Sequence, residues 1–414
     1  MGSPDSVKNH GWTVTMAAIG INLALGILYS WSVISKAIPA GWGWTEAQKS
    51  LPYAVACLVF SLMMIPAGRL QDKIGPRIVA SIGGVLVGIG MILASTSTGL
   101  LVFILGFGVL AGTGIGFGYA SATPPAVKWF PKEKVGLIAG LVVSGFGLAS
   151  VYIAPLTQQL TKPQNLGVSK TMLVLGVAFL IVVTLLSQLL KAPPVGYNPN
   201  AKTAGSAVAI APDDYTPGEV LRTPQFYLLW FMYACGAGAG LMVIGKLAAI
   251  AKTQAGMDLG FLLVAALAIG NGGGRIAAGM VSDKIGRKQT LLIVFLVQTV
   301  MIFLLSRATA GTVLANPAVL CVLSAFIGAN YGANLAIFPS VTKDFYGLKN
   351  FGVNYGLVFT AWGCGGFVLA YLAGMAYDKY HTFAIAYYGS MVLLVLAAAI
   401  SFLLKTPKPR VAAK

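Results

Sequence analysis

Twelve apolar stretches, each close to the roughly 20 residues that cross a bilayer as a helix, restrict what this 414-residue chain can become. They lie near 13–35, 51–68, 78–98, 101–123, 136–158, 171–190, 225–246, 259–280, 290–308, 315–341, 353–375 and 382–403. With 57% hydrophobic and 9% charged residues and a mean hydropathy of +0.82, the chain stands far from the roughly 25% charged of a soluble domain. The expected fold is an all-α polytopic membrane protein of 12 transmembrane helices. The first stretch is too long for a removable signal peptide, and lacks the short basic leader and small-residue cleavage pattern.

The formal charge of +17 raises the question of nucleic acid, and its distribution argues against it. With both termini placed in the cytoplasm, segments on that side hold 19 of the 28 Lys and Arg residues. External segments and span ends hold 8, and Arg275 is the remaining one. This is a positive-inside bias, so the basic residues are read as topology signals facing a lipid bilayer. The scattered cysteines Cys57, Cys235, Cys321 and Cys364 all fall in spans without metal-ligand spacing and read as small packing residues.

The chain is also written twice. GRLQDKIGPR (68–77) follows the second stretch and GMVSDKIGRK (279–288) follows the eighth, placing Asp72 and Asp283 211 residues apart. In each loop the carboxylate can cap or clamp a neighbouring helix end. GFGYASATP (116–124) likewise aligns with GANYGANLA (328–336), placing Tyr119 and Tyr331 212 residues apart. The expected organisation is two pseudo-symmetric six-helix halves, 1–190 and 223–414, joined by a cytoplasmic linker at 191–222 rich in Pro and Gly. Such halves surround a central cavity and alternate access by rocking. Gly112, Gly114, Gly116 and Gly118, and again Gly363, Gly365 and Gly366, form smooth strips. Their spacing suits close static packing and sliding surfaces alike.

Arg275 is the only charge in residues 261–280. A guanidinium at that depth is a functional-site hypothesis by default. Counting back by 211 gives Met64, so the charge is not duplicated, and none of the 11 acids is placed mid-span. Five donors in a planar fork match a carboxylate, and an anion from outside fits better than a permanent salt bridge. Asn271, one turn earlier, can face the same cavity but cannot carry a proton. Tyr119 and Tyr331 offer phenolic donors, and Asn330 and Asn334 are further candidates on the tenth span.

The doubled Gly-x-x-x-Asp-Lys-x-Gly loops resemble the signature of the major facilitator superfamily across residues 13–403. KWFPKEKVGLIAG (128–140), LRTPQFYLLW (221–230), NGGGRIAAGMVSDKIGR (271–287) and NYGLVF (354–359) resemble the oxalate/formate antiporter group and the monocarboxylate transporters, nearest to bacterial lactate-type members. The resemblance implies transport of small organic anions, by exchange or with a proton, in a bacterial inner membrane by a monomer. It also implies that Arg275 contacts the substrate carboxylate. The lysine that gives the oxalate exchanger a second positive charge corresponds here to Trp362, and an aspartate of the animal monocarboxylate transporters corresponds to Asn271. The first difference favours a monoanion. The second leaves the proton route open.

Phe359, Phe146 and Trp362 are expected to form an apolar side that packs an alkyl group and offers a second carboxylate no partner. Lys246, at the outer end of the seventh span, could attract substrate, tune coupling or reach to the interface. Asp258 and Glu46 are the acids placed near the external mouth and are candidate proton carriers. Asp72 and Asp283 are gating candidates. His381 and the GWGW segment at 41–44 read as interfacial.

The leading expectation is proton symport of a short monocarboxylate such as L-lactate or pyruvate, with anion exchange as the alternative. A receptor has little room in the short tails and 32-residue linker. No nucleophile motif, His-rich metal cluster or nucleotide loop suggests an enzyme, and no cofactor is expected beyond the co-transported proton.

Overall fold

A computed structural model describes residues 9–194, 197, 215–258, 260–347 and 350–407, without side-chain detail at 132, 133, 135 and 136. Most of the expected linker, 195–196 and 198–214, lies outside the described residues. Twelve helices are long and apolar enough to cross a membrane. They are α1 (Gly11–Ala37), α2 (Glu46–Ile74), α3 (Pro76–Ser95), α4 (Leu100–Val127), α5 (Leu137–Leu160) and α6 (Gly167–Ser187), followed by α7 (Pro224–Thr253), α8 (Gly260–Ile285), α9 (Arg287–Ser306), α10 (Pro317–Tyr346), α11 (Phe351–Tyr380) and α12 (Ala384–Ser401).

Several helices outrun the apolar windows that announce them. Helix α2 runs on past Arg69 and Lys73, and α7, α10 and α11 also continue into polar sequence. Lys, Arg and Gln are good helix formers, so hydropathy ends before the helix does. Glycine ends it. Gly75 (φ 90°, ψ 155°) separates α2 from α3, and Gly286 (φ 91°, ψ 156°) separates α8 from α9. The repeated Asp-Lys-Ile-Gly loops are therefore one joint made twice, in a conformation that favours glycine.

The first six and last six helices pack in matching pairs. Helix α2 lies on α4 as α8 lies on α10, α3 on α6 as α9 on α12, and α1 on α5 as α7 on α11. Across the two sets, α2 packs on α11, α5 on α8 and α1 on α7. Large apolar side chains such as Leu101, Leu185 and Val392 are exposed, as a lipid-facing perimeter requires.

The glycine strips divide by partner. In α4, Gly112 and Gly116 lie against α2, Gly114 against α3, and Gly118 against Leu25 of α1. They tighten the first six helices. Gly363 instead faces Ser61 and Cys57 of α2, at the interface between the two sets, Gly366 meets Leu241 of α7 and then Cys57, and Gly365 meets Ala234 of α7. Only the α11 strip could serve as a surface between halves.

Helix α1 tightens into a 3₁₀ turn at Gly26–Ser30, and α5 is interrupted at Ala149. The two irregularities meet: a Cβ on Gly26 would approach the Phe146 carbonyl to 2.6 Å, and Ser30 Oγ donates to Ser150 Oγ at 3.0 Å. This turn carries Tyr29 into the centre of the bundle.

Candidate functional site

Arg275 and Asn271 lie where α8 is pressed against α10. A Cβ on Gly270 or Gly274 would overlap the backbone of Ala325 or Ala329. One on Gly328 or Gly332 would overlap that of Leu267 or Asn271. Two Gly-x-x-x-Gly pairs thus set the helix separation, and the arginine side chain turns towards α5.

There Arg275 Nη1 donates to the Val143 carbonyl at 2.9 Å, and Nε donates to Asn271 Oδ1 at 3.1 Å. A guanidinium only donates, so Asn271 must present its oxygen and direct Nδ2 elsewhere. That Nδ2 and Arg275 Nη2 are both buried and make no well-aligned hydrogen bond, although the Tyr119 hydroxyl approaches the guanidinium closely enough to interact with it. Both converge on Gly147, where a Cβ would lie 3.3 Å from Asn271 Nδ2 and 3.4 Å from Arg275 Nη2. The absent side chain leaves two adjacent donors facing the same spot. Arg275 itself is 6% exposed, and no ion pair among the described residues includes it.

An aromatic cluster adjoins the guanidinium through Tyr119. Tyr119 lies beside the guanidinium, with its ring edge-on to Phe146 at 5.3 Å. Phe359 stacks on Trp362 at 5.1 Å and 11°. Phe60 of α2 touches all four, with centroids 5.4 Å from Tyr119, 5.8 Å from Phe146, 5.6 Å from Phe359 and 5.1 Å from Trp362. Phe146, Phe359 and Trp362 thus belong to one aromatic cluster. Phe60, their hub, looks in the sequence like any apolar residue of a span.

The pseudo-symmetric tyrosines have different partners. Tyr331 is fully buried and lies 2.6 Å, oxygen to oxygen, from the hydroxyl of Tyr29. It also accepts from Trp362 Nε1 at 2.7 Å. The Tyr29–Tyr331 bond joins the first six helices to the last six. Trp362 therefore offers a polar edge as well as an apolar face, and that edge is already committed. Tyr29 was missed; its only sequence signal is a tyrosine inside an apolar run, three residues after Gly26.

Asn330 and Asn334 lie apart from this cluster. Their Nδ2 groups donate along α10 to Phe326 O at 2.8 Å and Asn330 O at 2.9 Å. Asn334 faces Gly236 of α7, close to Phe295 of α9. Each amide nitrogen is thus held by its own helix backbone, while Asn334 Oδ1 is buried without a hydrogen-bond partner beside Gly236 of α7.

Of the gating candidates, Asp283 is clamped and Asp72 is not. Arg287 Nη1 donates to Asp283 Oδ1 at 2.6 Å, while Nε donates to Asp344 Oδ2 at 3.1 Å. In the first loop Pro76 opens α3 where Arg287 opens α9, and Asp72 accepts from Gln71 Nε2 at 2.8 Å. Lys246 does not reach out to the interface. It is 2% exposed and bonds Glu46 Oε2 at 3.0 Å and the Glu46 carbonyl at 2.8 Å. Asp258 is exposed and pairs with Lys36 at 3.0 Å; that hydrogen bond holds its carboxyl below the usual carboxylate range. Trp42 and Trp44 pack on Phe103.

A sequence profile described as Major Facilitator Superfamily matches residues 11–308 and 247–414. The uncharacterized MFS-type transporter YhjX of Escherichia coli (strain K12) is 31% identical over 365 residues, 88% of this chain and 87% of that protein. The oxalate:formate antiporter of Oxalobacter formigenes is 28% identical over 362 residues, 85% of this chain and 81% of that one. Among solved structures, a bacterial homologue of the human lysosomal transporter Spinster, described as inward-facing and unoccupied, aligns with a TM-score of 0.69 at 16% identity. That alignment covers 96% of this chain and 98% of the other, and shows the fold alone. Matching helix pairs, a joint made twice and a profile spanning the bundle lead to one conclusion: the chain belongs to the Major Facilitator Superfamily, as a secondary transporter of small polar or anionic solutes and not an enzyme.

Proposed function

We propose that this transporter carries short monocarboxylates such as L-lactate or pyruvate by proton symport, with Arg275 anchoring the carboxylate. The observation that carries the reading is the pair of unpartnered donors, Arg275 Nη2 and Asn271 Nδ2, converging beside Gly147. Carboxylate oxygens supply the acceptors these groups lack, and charge-assisted bonds are the strong ones. Tyr119 adds a phenolic donor at the same place.

Charge and size narrow the cargo. An alkyl group would rest on Phe60, Phe146 and Phe359. A second carboxylate would meet aromatic faces and a tryptophan N–H already given to Tyr331, at a cost of several kcal/mol. The working unit is a monomer of two rocking halves, 1–190 and 223–414, joined by 191–222. Both termini lie in the cytoplasm and the membrane is a bacterial inner membrane.

Uptake of labelled L-lactate into proteoliposomes tests the reading. An inward proton gradient is expected to drive accumulation, with no dependence on sodium. Asn271 favours a second reading, exchange of monoanions, because no acid among the described residues pairs with Arg275 to take a proton. Uptake that requires internal anion and ignores the proton gradient would establish exchange and sink symport.

A further inference from the structure

Most ion pairs at helix ends are wet. Among those of the described residues at the end of the bundle opposite the termini, the Lys246–Glu46 pair is enclosed on its lysine side, where Lys246 is 2% exposed. Its ammonium comes from α7 and its carboxylate, Glu46, from α2, so the pair spans the two sets of helices. Glu46 Oε1 also accepts from Lys49 of its own helix at 2.8 Å. From α11, Asp378 accepts from the backbone N–H groups of Glu46 and Ala47 at 2.7 and 2.8 Å, capping α2 from the other half. Lys36 of α1 reaches Asp258, just beyond α7, at the same end. Lys252 in the last turn of α7, whose charge acts on Asp258, and Lys379 in the last turn of α11 complete the charged groups that α1, α2, α7 and α11 bring to the latch at this end.

Alternating access requires this end to open, which separates α2 from α7 and α11. Lys246 must then leave Glu46. A carboxylate on a small solute can take the same place, because Glu46 presents to Lys246 the chemistry that such a solute carries. Protonation of Glu46 has the same consequence: a neutral carboxyl no longer compensates the ammonium, and opening lets water or an anion do so.

We propose that Lys246 is a second anion-binding site, at the distal mouth, which Glu46 occupies as a built-in competitor until an incoming monocarboxylate or a proton on Glu46 displaces it. The proposal rests on the transport reading given above for the nature of the anion. It adds a capture step before Arg275 and a reason for acid on the distal face to favour uptake. Charge at a mouth acts on capture more than on the bound state.

The test has two arms. In proteoliposome counterflow without a gradient, acid pH is expected to lower the wild-type KM for L-lactate. Glu46→Gln should hold that low KM at every pH, and Lys246→Gln should raise KM roughly tenfold and abolish its pH dependence. A Glu46→Gln protein with the wild-type pH profile, or a Lys246→Gln protein with the wild-type KM, overturns the proposal. The second arm needs no substrate. Spin labels at Gly41→Cys and Val313→Cys, exposed on the two sets of helices, are placed in a background lacking the four native cysteines. Their separation should lengthen at acid pH and in Glu46→Gln at neutral pH, and an unchanged distance overturns the latch. Absent counterflow in wild type with a pH-dependent distance would retire the monocarboxylate reading and leave the latch standing.

Discussion

Arg275 and Arg287 stand twelve residues apart and meet the problem of a cation in a membrane bundle in opposite ways. Arg287, at the start of α9, has Asp283 and Asp344 on its guanidinium. Arg275, inside α8, has a backbone carbonyl, an amide oxygen and one nitrogen left over. Where the chain supplies carboxylates, the arginine is a clamp within the last six helices. Where it withholds them, the arginine keeps an unpartnered nitrogen, and the proposed ligand role rests on that nitrogen. The first loop sharpens the lesson, because with Pro76 in place of an arginine the same backbone joint forms without the clamp.

The comparison breaks first, and most visibly, at Arg275. Arg275→Gln is expected to lower monocarboxylate uptake by roughly 100-fold or more, since losing one partner of a buried pair costs about 3–5 kcal/mol. Its thermal midpoint without substrate should hold or rise, because an uncompensated charge has been removed. Arg275→Lys keeps the charge but loses the planar fork, and should recover only part of the activity. Normal uptake together with a steep fall in stability would make Arg275 a second Arg287.

The joints come next. Gly75→Ala and Gly286→Ala each place a side chain at φ near 90°, and each should cost roughly 1–2 kcal/mol. Thermal unfolding of the two purified variants should give similar losses. A much larger loss at one would mean that the loops share a motif but not a role.

A smaller effect belongs to the clamp. Arg287→Gln removes two partly exposed ion pairs, each worth about 0–1 kcal/mol, and should lower the thermal midpoint slightly while leaving KM unchanged. High salt should shrink the difference. A KM change would show that the clamp reaches the site.

The smallest belongs to Lys36 and Asp258, a pair that is solvent-exposed on the acid side. Its hydrogen bond depresses the Asp258 carboxyl, so any stabilisation is present above the usual carboxylate range and is lost as pH falls through the depressed value. Asp258→Asn should differ little from wild type at neutral pH and converge with it in acid. A large neutral-pH effect would show that even the exposed pair latches the mouth.

Several features are legible in the sequence, because each is written locally. Hydropathy announced the twelve long helices. The repeated Asp-Lys-Ile-Gly loops announced a joint made twice, since a glycine with positive φ is chosen by the backbone around it. Isolation marked Arg275, because a charge inside an apolar run needs no neighbour to be conspicuous. The aromatic wall was legible in part, through Phe146, Phe359 and Trp362.

Other assignments were beyond its reach. Asn330 and Asn334 resemble cavity-lining amides in a list of residues, and only packing shows that their amide nitrogens are held by their own helix backbone, with Asn334 beside Gly236 of α7. Lys246 resembles an interfacial lysine, yet α2 covers it with Glu46. Tyr29 and Phe60 resemble ordinary span residues, yet a 3₁₀ turn and a helix crossing put them at the centre. Sequence by itself determined the twelve helices, their joints and the buried cation, which depend on propensity and hydropathy along the chain. Tertiary structure alone decided which polar groups are satisfied, because a hydrogen bond or ion pair between distant helices depends on where packing sets each helix and how it is turned.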